Sequence, residues 1–242
     1  MIEVRCLTHI TRLFAKETSV FDIFFPVVYF SFAGDVAKVP WYYKKARGVS
    51  AQSDLTKTID DIMAGIKSNT RNEIRRAEKE GCVFEFVDAI EEFVPFYNAF
   101  CDSKGLNDYT SYARLKKYKH LLLTKVTHNG QTLAMHANIL DPVGRIGVLI
   151  MSCSQRLDAG VDKKLIGWGN RYLHFKELEY LKQEGYEVYD WSGVVTDPSS
   201  PLYSIGQFKL AFGGKVVDSW VLQSPLYAML GKVRDAMLKL RR

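Results

Sequence analysis

The sequence contains no apolar run reaching the roughly 18 residues that a membrane-spanning helix requires. Its greasiest stretch, Phe21 to Ala33, is interrupted by Asp22 and Pro26 and reads as one or two strands. No continuous apolar region follows the charged start at Glu3 and Arg5, so no secretory leader is read there and a cytoplasmic protein is expected. The four cysteines (Cys6, Cys82, Cys101 and Cys153) form no CxxC or Cys/His spacing. That excludes a zinc finger and fits a reducing compartment better than a disulfide framework. The five histidines, His9, His120, His128, His136 and His174, show no HExxH and no i, i+4 pair, so no metal site is predicted. His136 falls within a strand and reads as a hydrogen-bonded structural residue, with a cleft-facing role as the alternative. There is also no GxxxxGK[ST] loop, no strand-linked GxGxxG and no GxSxG elbow, which removes the common nucleotide-binding and serine-hydrolase designs. Internal repeats and low-complexity linkers are lacking as well.

What is present is a mildly basic chain, with 33 Lys and Arg against 27 Asp and Glu, a net +6 over 242 residues. Such a balance favours anionic partners (phosphorylated small molecules, nucleic acid or an anionic membrane face) or is simply a solvated surface. Trp41, Tyr42 and Tyr43 stand beside Lys44, Lys45 and Arg47. That mixture suits a nucleic-acid or sugar patch, or an edge strand protected by charge.

The order of predicted elements is informative. Residues 22–33 look extended. Residues 54–80 look helical with a break near Gly65, a cap at Ser68 and a stop at Gly81. A strand is expected over 82–87 and a helix over 90–102 with Pro95 in its first turn. A further short helix is expected over 109–117. Strands at 119–126, 132–140 and 145–152 follow, joined by Asn129-Gly130 and Asp141-Pro142-Val143-Gly144, so the centre reads as an antiparallel meander. A long helix over 161–184 carries an apolar stripe through Leu165, Ile166, Trp168, Tyr172, Phe175, Leu178 and Leu181. Then come a strand at 186–191, a short helix at 203–211, a strand at 215–222 and a C-terminal helix. This is an α/β, or α+β, mixed-sheet pattern.

Three stretches carry chemistry. Lys67, Arg71 and Arg75 are spaced by four on one helix flank, where arginine forks suit phosphate; the alternative is a solvated helix whose acids pair with its own cations. Asp190 in YEVYDWSG lies at the predicted carboxyl end of a strand, where it could orient an attacking amine or merely cap a turn. Lys209 in SIGQFKLAFGG lies among Phe208, Leu210 and Phe212. It could stabilise an acyl-transfer oxyanion or snorkel to water.

These stretches resemble, in order, three motifs of the FemABX peptidyltransferase family. SNTRNEIRRAEKEG (68–81) resembles its basic helix, YEVYDWSGV (186–194) its Y-D-F-G-G strand end, and PLYSIGQFKLAFGGKVV (201–217) its G-I-x-x-F-K-x-x-F-G-G-E segment. The resemblance spans about residues 50–225. It implies a GNAT-like acyltransferase fold with an N-terminal extension of strands and a helix. The expected division is a truncated first half over 1–80, a transferase domain over 81–225 and an amphipathic helix over 226–242. It further implies Lys209 and Asp190 as catalytic residues, and Lys67, Arg71, Arg75, Trp191, Tyr203 and Phe208 as substrate-binding.

No tightly bound cofactor is implied. The donor would be aminoacyl-tRNA or an acyl-CoA or acyl-carrier thioester, and the acceptor a phosphorylated or lipid-linked precursor of the cell envelope. Partners would accordingly include tRNA and the inner membrane face, but not DNA. Departures are visible. Ser192 stands where the family has the first glycine of its pair. The segment 154–164, with its single Gly160, lacks the usual coenzyme A loop, and Asp158 and Asp162 disfavour an anion there. Runner-up readings are a thioester-dependent N-acyltransferase of surface-polysaccharide synthesis and a non-catalytic basic binding module. For the latter, the C-terminal helix bears Lys232, Arg234, Lys239, Arg241 and Arg242 against Asp235 and could lie on a membrane.

Overall fold

A computed structural model describes residues 1–155 and 162–240, excluding the side chains of 234–240. In chain order the elements are β1 (Ile2–Arg5), β2 (Ile10–Leu13), β3 (Val27–Phe30), β4 (Lys44–Asp54), α1 (Ile59–Gly65), α2 (Ser68–Lys79), β5 (Val83–Phe86), α3 (Ile90–Lys104) and α4 (Tyr112–Leu115). They continue with β6 (Leu121–His128), β7 (Gln131–Asp141), β8 (Ile146–Ser154), α5 (Lys163–Gln183), β9 (Val188–Gly193), α6 (Tyr203–Leu210), β10 (Lys215–Gln223) and α7 (Pro225–Leu240). Short 3-10 turns cover Val20–Phe24 and Val36–Lys38.

The chain forms two compact units, one of residues 1–50 with 216–242, the other of 51–215. Helix α2 falls within the larger unit, its buried Thr70, Ile74 and Ala77 belonging to the same packed layer as α5. An amphipathic helix goes where its apolar stripe is covered.

In the larger unit the strand order is β4, β9, β8, β7, β6, β5. The meander forms as expected. Asn129 and Gly130 both adopt positive φ, 50° and 77°, the twist that a two-residue hairpin turn needs. At the next turn Asp141 Oδ1 accepts the Gly144 amide at 3.1 Å. Phe93, Val94, Tyr97 and Cys101 of α3 form one core with Leu123, Met135, Ala137, Met151 and Cys153 of the strands. Helix α5 packs on β6, β7 and β8. Helix α3 holds Pro95 inside its body, deeper than the first turn expected. Lys67, not Ser68, is the N-cap of α2, and its side chain makes no capping bond.

In the smaller unit β1, β2, β3 and β10 adjoin in that order, with β2 and β3 parallel and the other pairs antiparallel. The apolar stretch from Phe21 is extended only from Val27. Before it, Ser19 and Asp22 form a reciprocal capping box that closes the 3-10 turn. The segment 156–161, including Asp158 and Gly160, lies outside the described residues, as do Arg241, Arg242 and the side chains of Arg234, Asp235 and Lys239.

Candidate active site at a parting of two strands

β8 and β9 are parallel, joined through α5, and their register runs Ile146 with Val188, Gly147 with Tyr189 and Val148 with Asp190. Beyond those pairs β8 continues along β7 to Ser154. Two residues later on β9, Ser192 adopts φ 61°, a left-handed conformation that costs a serine energy a glycine would not spend. Side chains hold the distortion in place. Asp190 Oδ1 accepts the Ser192 amide at 2.7 Å, and the Ser192 hydroxyl donates to the Leu149 carbonyl of β8. The serine that stands where the FemABX motif has a glycine thus sits at a backbone position where glycine is at ease, and it contributes a bond glycine lacks.

Lys209 comes to this parting from α6. Its Nζ donates to the Gly193 carbonyl at 2.9 Å. Burial pushes its pKa below the usual lysine value, while the charge of Asp190 pulls it back up. The helix reaches this position through Gly206, where an added Cβ would run into the Val195 carbonyl oxygen. Phe208 is half-buried, with the Arg171 guanidinium over its ring at 5.0 Å. Arg171 is itself paired with Glu73 of α2 at 2.5 Å.

Asp190 occupies a different place from the one the sequence suggested. It lies inside β9 rather than at its end, is fully buried, and accepts Gln52 Nε2 on Oδ2 at 2.9 Å. Its carboxylate orients Ser192, and its charge favours the charged form of Lys209. Trp191 is likewise fully buried, donating to Ser53 Oγ at 2.9 Å and stacking on Phe212 at 4.7 Å. Stacking of that kind adds roughly 0.5–1.5 kcal/mol beyond burial. Trp191 is core, not a ligand-contacting surface.

The basic helix divides. Arg71 turns back to the Ala64 carbonyl at 2.8 Å and to the Ile66 carbonyl, satisfying the carboxyl end of α1. Arg75 lines a separate cavity of about 230 Å³ between α1, α2 and α5. There it shares the walls with Lys176 but also with Asp60, Glu78 and Glu179, so the charge is not that of a phosphate cradle. Lys67 is exposed, and its backbone amide meets the Ala211 carbonyl just after α6 at 2.8 Å. Tyr203 is half-buried in the first turn of α6.

Beneath Lys209 lies a buried polar cluster that spacing rules on histidine alone do not find. Glu177 of α5 is fully buried. Its Oε1 accepts Thr124 Oγ1 at 2.5 Å and Asn138 Nδ2 at 2.9 Å; its Oε2 meets His136 Nδ1 at 3.0 Å and Tyr189 OH at 3.1 Å. Despite burial, the charge and hydrogen bonds of His136 hold this carboxyl well below the ordinary range. His136 Nε2 is 2.9 Å from Asn170 Oδ1. His174 stacks on His136 at 3.9 Å. Burial, then the His136 charge, lower its pKa to about 3, and its Nδ1 stays 3.5 Å from Glu177 Oε2, short of a well-formed hydrogen bond. His136, His174 and Glu177 place ligand-type atoms within 4.8 Å of one another, yet both Glu177 oxygens are already taken up by protein donors. The legible signals were His174-x-x-Glu177 on α5 and the paired His136 and Asn138 on one face of β7.

No protein-family model matches this sequence, and no curated protein does. Among solved structures, FemX aligns over 86% of this chain and 74% of its own, at 12% identity and a TM-score of 0.62. The chain has the FemX fold. The structure of L-PGS from Bacillus licheniformis aligns over 92% of this chain and 80% of its own, at 11% identity and a TM-score of 0.59. The C-terminal domain of a protein described as a lysylphosphatidylglycerol synthetase from Agrobacterium fabrum covers 86% and 72%, at 13% identity and 0.58. The mixed-sheet architecture implied by the sequence motifs is the fold these three structures share with this chain.

Proposed function

We propose that the protein is an N-acyl or aminoacyl transferase of the FemX type. The observation that carries this reading is Lys209, a partly desolvated amine fixed beside the Gly193 carbonyl where β8 and β9 part. Ligands of open α/β sheets bind at such openings. In the proposed reaction the nitrogen of an acceptor amine attacks the carbonyl carbon of an ester or thioester donor. Charge develops on the carbonyl oxygen, and the Lys209 ammonium stabilises it in a setting poor in water. The intermediate collapses to an amide, and the displaced oxygen or sulfur leaves with the proton from the amine. Asp190 keeps Lys209 charged, and Phe208 with Arg171 forms one wall of the approach.

The donor is aminoacyl-tRNA or an acyl-CoA or acyl-carrier thioester. The acceptor is an amine on a phosphorylated precursor of the cell envelope, met in the cytoplasm or at the inner membrane face. Lys67, the exposed N-cap of α2, whose backbone amide meets the Ala211 carbonyl just after α6, is assigned to the acceptor phosphate; Arg75 is not part of this proposal. Thermal stability against acetyl-CoA, longer acyl-CoAs, aminoacyl-tRNA and phosphorylated sugar precursors tests the reading. A true donor at 100 times its dissociation constant adds about 2.7 kcal/mol, and Lys209→Ala should reduce the gain. A panel in which no compound stabilises the protein would remove the support for a transferase.

A further inference from the structure

The turn over Val20–Phe24 is built inside out. Its one charged residue, Asp22, is buried, while its apolar residues face solvent. Asp22 takes Arg12 Nη1 at 2.9 Å and Tyr43 OH at 2.9 Å, and also accepts from Tyr29 OH. A buried carboxylate held by three donors fixes the turn rigidly. On the outside, Phe21 is 68% exposed, Phe24 72% and Phe25 52%, with Val20 and Ile23 beside them. Helix α7 packs against this turn and adds exposed Met229, Leu230 and Val233. Single exposed apolar residues are ordinary, but a pinned cluster of this kind marks an interaction surface.

Charge selects the partner. The unit of residues 1–50 and 216–242 holds 12 basic and 6 acidic residues, while the rest of the chain holds 21 of each. The entire net +6 therefore belongs to the unit that carries the apolar turn. We propose that this turn and the exposed face of α7 dock on an anionic phospholipid bilayer, the phenylalanines entering the interface and the cations meeting the lipid phosphates. Bilayer interfaces accept both kinds of side chain at once. A second copy fits less well, because a symmetric contact through this face would press two units of charge +6 together. The inference uses no residue of the Lys209 site, and vesicle binding is read independently of acyl transfer.

The test is co-sedimentation of the full chain with vesicles of phosphatidylglycerol and phosphatidylcholine, against vesicles of phosphatidylcholine alone. The wild type should bind the anionic vesicles at least tenfold better and lose binding as salt rises. The double variant Phe21→Ser/Phe24→Ser should lose at least tenfold while keeping its thermal midpoint, since both side chains are exposed. Lys232→Glu should weaken binding to anionic vesicles only. Equal binding of wild type and double variant, or indifference to lipid charge, would overturn the proposal. So would a wild-type dimer that the double variant dissolves without any change in vesicle binding, which would make a second copy the occupant.

Discussion

Lys209 Nζ lies 2.9 Å from the carbonyl oxygen of Gly193. The two residues belong to different elements, α6 and β9, separated by a Pro/Ser loop. Their meeting places a cation beside the opening between β8 and β9. Two backbone features permit the encounter, and each can be altered alone.

The first is Gly206. A methyl group there meets the Val195 carbonyl oxygen, a backbone atom that cannot swing aside. Gly206→Ala should push α6 outward and move Lys209 from its position. We expect a stability loss of about 1–3 kcal/mol from overpacking, and a fall in transfer rate larger than the stability change explains. Urea melts and steady-state rates on one preparation measure both.

Ser192 is the second. Its φ of 61° disfavours any side chain, but its hydroxyl bonds the Leu149 carbonyl. Ser192→Ala keeps the strain and loses the bond, whereas Ser192→Gly relieves the strain as it loses the bond. Ala should therefore be the less stable of the two by roughly 1 kcal/mol. Denaturant midpoints that place Gly below Ala would contradict this account of the parting.

The buried cluster makes stability depend on acid in two separable windows. His174 has a folded pKa near 3, below its ordinary 6.5. Between those values the unfolded chain holds a proton that the native chain does not, so stability falls on acidification by up to about 1.4 kcal/mol per pH unit. Glu177, held low by its donors, adds a further loss only below the ordinary carboxylate range. Unfolding curves at pH 7 and pH 5 should differ by roughly 2 kcal/mol more in the wild type than in His174→Gln.

The sequence made some of this legible for physical reasons. Asn129-Gly130 demands a backbone few other pairs adopt, so the meander was certain to turn there. The F-K-x-x-F-G-G segment singles out Lys209, and the strand motif singles out Ser192 as standing at a glycine position, though not its left-handed backbone. Other features depended on distant partners. Asp190 is buried because Gln52, 138 residues away, meets it. The Phe21 segment follows no strand pattern at its start because Ser19 caps a turn and Asp22 finds Arg12 and two tyrosines. Arg71 and Arg75 share a helix flank, yet one meets the end of α1 and the other a cavity with three carboxylates. Periodicity gives a face; it does not say what covers that face.

The most direct test of the central claim is a single-turnover transfer rate for wild type and Lys209→Met, measured with whichever donor stabilises the wild type. The variant should stay folded and lose about 10²–10³-fold in rate, the usual effect of removing one oxyanion donor. The wild-type rate should decline at a pH below the ordinary lysine range, since burial lowers the Lys209 pKa. Equal rates in a folded variant would contradict the assignment of Lys209 and, with it, the reaction proposed here.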